Sequence, residues 1–63
     1  MKRKDLLKQL AANGCVLLRH GSNHDLYLNP KNGMRQPVPR HSEIDENLAR
    51  HIKKYLGLGK RTN

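Results

Sequence analysis

Two prolines two residues apart, Pro37 and Pro39 in the run Met34-Arg35-Gln36-Pro37-Val38-Pro39, restrict this chain more than any other local feature. Met34 to Pro39 has the composition of a β-strand. At that spacing the two missing N–H donors fall on the same side of it, which cannot support a ladder at either position. Such a strand belongs at the edge of a sheet and closes the sheet there.

The preceding segments supply the rest of a meander. Cys15 to His20 is short and largely apolar, and Gly21-Ser22-Asn23 breaks it. Asp25 to Leu28 alternates polar and apolar, as a half-buried strand does. Asn29-Pro30-Lys31-Asn32-Gly33 is a turn cluster, and its Asn-Gly pair offers the positive φ angles of a hairpin. A helix is expected on either side of these strands. Leu6, Leu7, Leu10 and Ala11 make one apolar stripe over Lys4 to Ala12, with Asn13-Gly14 as the stop. Ile44, Leu48, Ile52, Tyr55 and Leu56 form a longer stripe over Asp45 to Leu56. Ser42 with Asp45 three residues on resembles a capping box, Lys53 and Lys54 suit the last turn, and Gly57-Leu58 is a glycine stop with its apolar follow-up.

The expected fold is α+β in the order α-β-β-β-α: a three-stranded antiparallel sheet with both helices packed on one face, leaving the other face open. Residues 1–58 make a single domain, and Gly59 to Asn63 is read as a flexible basic tail.

Charge narrows the choice of partner. Thirteen Lys and Arg oppose five Asp and Glu in 63 residues, a formal charge of +8. Residues 1–42 carry eight basic side chains and two acidic ones, so the anion-facing surface is expected there. A polyanion, nucleic acid first, is the natural ligand. The lone cysteine, Cys15, cannot form an internal disulfide and suits a reducing compartment as a small core residue. No apolar stretch reaches the length of a membrane span, and the basic start runs into an amphipathic segment, unlike a signal peptide. The expected location is the cytoplasm.

Four histidines could carry chemistry: His20, His24, His41 and His51. No HExxH or CxxC spacing accompanies them, so neither a metal site nor a cofactor is expected. Metal-free cleavage of RNA fits better. RNA brings its own nucleophile, the 2′-hydroxyl, and an imidazole near neutrality can take or give the proton. In Gly21-Ser22-Asn23-His24 the glycine would admit a phosphate to the backbone, and Ser22 and Asn23 would hydrogen-bond it. His24 has a competing structural reading. Strict alternation aligns it with Leu26 and Leu28 on the face expected to be core, where it would bond a backbone carbonyl. With no Phe or Trp, and Tyr55 assigned to the helical stripe, Tyr27 alone is left to stack on a base.

Taken together, the run GSNHDLYLNPKNGMRQPVPRHSEI and the capped helix DENLARHIKKYLGL closely resemble the HicA toxin family of bacterial HicA/HicB toxin–antitoxin modules. The resemblance extends over essentially the whole chain: the lysine-rich first helix ending in Asn-Gly, the Gly-Ser-x-His-x-x-Tyr segment, the Pro-x-Pro-Arg-His turn and the final LGL. It implies a fold like that of a double-stranded-RNA-binding domain. It also implies a metal-independent mRNA interferase that arrests growth and is neutralised by a HicB-type antitoxin, with His24 at the position of the family's catalytic histidine. Beside it, the residues expected to hold RNA are Lys4, Lys8, Gly21, Ser22, Asn23, Tyr27, Lys31, Arg35 and Arg40. Two further readings rest on the same basic surface: a non-catalytic RNA-binding module, and an adaptor for an acidic protein.

Overall fold

The computed structural model describes residues 1–58; the basic tail at 59–63 lies outside the described residues. The elements follow the expected order: α1 (Arg3–Ala12), β1 (Val16–His20), β2 (His24–Asn29), β3 (Met34–Pro39) and α2 (Glu46–Tyr55). The strands form one antiparallel sheet in the order β1-β2-β3, so the Pro37/Pro39 strand is an edge. Like a double-stranded-RNA-binding domain, the molecule is an open three-stranded sheet with two helices.

Local chemistry explains the helix ends. Gly14 and Gly57 both take positive φ, 84° and 83°. At each, two tight bonds close the last turn: Gly14 N–H to the Ala11 carbonyl and Cys15 N–H to that of Leu10, then Gly57 N–H to Lys54 and Leu58 N–H to Lys53. The start of α2 corrects the capping expectation. Asp45, not Ser42, is the N-cap, and its carboxylate accepts from the N–H groups of Asn47 and Leu48 at 3.0 and 3.3 Å. The β2–β3 turn also differs in detail. Only Gly33 has positive φ, because Asn29 accepts from the N–H of both Asn32 and Gly33 and so forms a four-residue loop.

The core joins Leu6 and Leu10 of α1, Ala49 and Ile52 of α2, Ile44 and Leu56 at its ends, Cys15 and Val38. Burial raises the Cys15 thiol pKa, as expected of a small core residue. Leu48 and Tyr55 do not join this core as their spacing suggested; they are 39% and 46% exposed. The helix turns Ala49 inward instead, and Tyr55 stacks on His51 with centroids 4.2 Å apart.

Register settles which sheet face is covered. Asp25 lies opposite Val38, a fully buried residue, and Asp25 and Asn29 are themselves buried while Tyr27 packs against the core. Side chains alternate along a strand, so His24, Leu26 and Leu28 take the other, open face. This reverses the expectation that the leucines mark the core side. The buried polar residues of β2 are tolerated because each has partners. Asn29 donates to the Leu56 carbonyl at 2.7 Å and accepts from Lys31 N–H at 3.0 Å; Asp25 is surrounded by cations.

Candidate functional site

His24 is the first residue of β2, exposed, opposite Pro39 at the end of the open sheet face. Its position is set by the short loop before it. Gly21 N–H donates to the His24 carbonyl at 2.7 Å, closing Gly21-Ser22-Asn23 into a tight turn. The imidazole leans over Gly21 so closely that a β-carbon there would stand 3.3 Å from His24 Nε2. The glycine is needed for this close approach.

Open-face residues follow from the pairing, since directly opposed residues share a face. Arg19 opposes Leu26, Val16 and Arg35 oppose Leu28, and Pro37 opposes Leu26. The face therefore combines an apolar floor with two arginines and, at one end, His24. A register shift between Leu17 and Arg19 makes room for Leu18 as an extra residue, which brings Arg19 onto this face.

Behind His24, on the covered face, sits the most heavily bonded carboxylate in the described structure. Asp25 Oδ1 accepts from Arg40 Nε at 3.1 Å and Arg40 Nη2 at 2.9 Å, and lies 2.8 Å from His20 Nδ1; Oδ2 accepts from Arg3 Nη2 at 2.8 Å. The Arg40 hydrogen bonds, then that of His20, hold the Asp25 carboxyl well below the usual carboxylate range. Arg3 also donates from Nε to the Pro39 carbonyl at 2.7 Å. Arg40 continues outward to the loop, donating to the carbonyls of Gly21 at 2.6 Å and Ser22 at 3.2 Å.

The structure gathers some of the expected site residues and separates others. Gly21, Ser22, Asn23, His24 and Arg40 lie together, and Ser22, Asn23, Arg40 and His41 line a shallow cleft. Arg40 also borders a second cleft with Lys2, Arg3, Lys4 and Leu7, so Lys4 adjoins the site. Lys8 is exposed one turn further along α1. Arg35 shares the face of His24, about 13 Å along the strand. Lys31 belongs to the turn at the opposite end of β2. Tyr27 is half-buried against the core on the covered face, so it does not stand beside His24; the exposed tyrosine is Tyr55.

Sequence reasoning gave Asp25 and Arg19 no role, and it named His20 only as one of four histidines that could carry chemistry. Asp25 carried a signal. It is one of only two acidic residues among the first 42, and it is adjacent to the motif histidine.

Among the described residues no group of three or more His, Cys, Asp or Glu side chains comes together, and no helix is long and apolar enough to cross a membrane.

The family model described as the HicA toxin of bacterial toxin-antitoxin matches residues 3–58. No curated protein and no solved structure matches the chain.

Proposed function

Because this chain belongs to the HicA toxin family of bacterial toxin–antitoxin modules, and so acts as a toxin with an antitoxin partner, we propose that it is an endoribonuclease that cleaves mRNA at His24. The observation that carries this reading is the placement of His24: exposed at the end of an open sheet face beside Arg19, and not enclosed among leucines.

The chemistry needs little more than positioning. His24 takes the proton from a ribose 2′-hydroxyl, and that oxygen attacks the adjacent phosphorus. The bond to the 5′-oxygen breaks and that oxygen receives a proton, leaving a 2′,3′-cyclic phosphate and a 5′-hydroxyl end. Arg19 favours the charge gathered on the phosphate, and Arg35, further along the same face, would hold a neighbouring phosphate of the strand. Lys4 and Lys8 extend the cationic surface along α1, and the backbone and side chains of Ser22 and Asn23 border the cleft into which the ribose-phosphate would enter. The His24 step uses no metal or cofactor. A HicB-type antitoxin would neutralise the toxin by covering the open face at His24, where the apolar floor of Val16, Leu26 and Leu28 favours a protein contact as well as the arginines favour RNA.

Cleavage of a defined mRNA in EDTA by the purified chain, compared with His24→Ala, tests the proposal. The wild type should cut and leave cyclic-phosphate ends. The variant should keep its far-ultraviolet spectrum and RNA affinity while losing about 10²–10⁴-fold in rate. Equal cleavage by the two proteins rejects His24 as the proton carrier, and RNA binding without cleavage by either favours a binding module.

A further inference from the structure

Arg40 is a cation beside the His24 loop, and the obvious task for it is to grip phosphate. Its hydrogen bonds argue otherwise. A guanidinium has five N–H groups. The Nε–H points to Asp25 Oδ1, the two Nη2 hydrogens to Asp25 Oδ1 and the Gly21 carbonyl, and one Nη1 hydrogen to the Ser22 carbonyl. The His24 carbonyl lies 3.4 Å from Nη2 as a further, longer contact. One N–H is left for a ligand.

These internal bonds have a common target. Gly21, Ser22 and His24 contribute three of the four carbonyls in the turn that presents the imidazole, and a single planar fork faces all three. The fork is aligned from behind. Asp25 is 10% exposed at its side chain, and it holds Arg40 through two nitrogens. The same carboxylate also ties down His20, the residue before the loop, and, through Arg3, the carbonyl of Pro39, the residue before Arg40. Lysine in place of Arg40 would keep the charge but lose the planar geometry that reaches a carboxylate and several carbonyls at once.

We propose that Asp25 and Arg40 form a latch for the Gly21–His24 turn, in which Arg40 is a positioning residue for His24 and not a phosphate ligand. The catalytic half of this inference rests on the nuclease reading of His24; the structural half does not.

Two measurements test it. In kinetics with a defined RNA, Arg40→Lys should lower kcat by about 100-fold, the loss expected when a reacting group shifts by about 1 Å. Its Kd for the same RNA carrying a 2′-deoxyribose at the cleavage point should stay within about twofold of wild type, since at most one N–H faces the ligand. Asp25→Asn should give the same split, and the double variant should be no worse than the poorer single one, because both substitutions open one latch. A rise in Kd or KM with kcat unchanged makes Arg40 a phosphate ligand and overturns the proposal, as do additive losses in the double variant.

Amide hydrogen exchange provides the arm that does not depend on cleavage. In Arg40→Lys the Gly21 amide, bonded to the His24 carbonyl, should lose at least about tenfold in protection while the amides of Leu10 and Ile52 keep theirs. Unchanged protection at Gly21 overturns the latch whatever the kinetics show. If wild type never cleaves RNA, the nuclease reading fails, and the exchange result still decides whether the latch exists.

Discussion

Gly21 and His24 are in contact: a β-carbon on residue 21 would stand 2.9 Å from the His24 carbonyl oxygen and 3.3 Å from its Nε2. The first distance is to backbone, which cannot swing aside. Gly21→Ala should therefore push the turn open and displace the imidazole. We expect RNA cleavage to fall by about 10–100-fold, on the same grounds that a displacement of about 1 Å at a reacting group is expensive in rate. The site is at the molecular surface, so the melting temperature should change far less than for a core substitution. Parallel measurement of initial rate and thermal unfolding checks this; a variant that cuts at the wild-type rate would show that the close approach has no bearing on catalysis.

Asp25 gives stability a defined dependence on pH. Its pKa is depressed in the folded state by Arg40 and His20, so below the ordinary value the unfolded chain binds the proton more readily. The contribution is present in full above about pH 4, the value for a free aspartate, and is lost as pH falls toward the folded-state value. Wild type should thus lose denaturant stability progressively below about pH 4. Asp25→Asn, already lacking the ionised carboxylate, should be less stable at pH 7 and show a flatter curve over the same acid range. Urea midpoints measured from pH 2 to 7 for both proteins provide the comparison, and parallel curves would mean that the Asp25 pairs contribute nothing.

The fate of particular residues shows what the sequence makes legible. Pro37 and Pro39 declare an edge strand because a missing donor is a local covalent fact, and β3 is found at Met34–Pro39 as expected. Gly57 and Leu58 end α2 for the same kind of reason. The phase of β2 is different. Alternation fixes that His24, Leu26 and Leu28 share a face but not which face is covered, and hydrophobicity chose wrongly. Asp25 and Asn29 go inward because Arg3, Arg40 and the Leu56 carbonyl meet them, partners 15 or more residues distant in the chain. Tyr27 goes to the covered face with the same phase of β2, while Tyr55 stays exposed and stacks on His51 one turn back in its own helix. The position of His24 came from motif resemblance; its exposure came only from the tertiary register.

Asn29 ties the β2–β3 turn to the end of α2. Its Nδ2 donates to the Leu56 carbonyl at 2.7 Å, and Asn32 donates to the same oxygen at 3.2 Å. Helix C-terminal carbonyls have no partner within the helix, and Asn29 is only 5% exposed. Asn29→Ala removes the buried donor and also the Oδ1 acceptor for Lys31 N–H. A loss of about 1–3 kcal/mol is expected from the desolvated groups left behind. Asn32→Ala, at an exposed position sharing the same acceptor, should cost less than Asn29→Ala. Chemical denaturation of both variants would expose the difference, and equal losses would refute the ranking.

Arg19 and Lys31 carry the same charge at different places, and that makes them a test of where RNA lies. Arg19 opposes Leu26 on the open face, about 7 Å along β2 from His24. Lys31 is in the turn past the far end of the strand. A short single-stranded oligonucleotide with an uncleavable centre should cover the first and not the second. Each phosphate contact releases counterions, so log Kd should depend on log salt concentration with a slope that shrinks by about 0.7 when one contact to single-stranded RNA is lost. Arg19→Ala should weaken binding at low salt and flatten the slope by about that amount, whereas Lys31→Ala should leave affinity and slope close to wild type. Binding titrations at several salt concentrations measure both. The reverse pattern would move the RNA to the turn end of the sheet and detach it from His24.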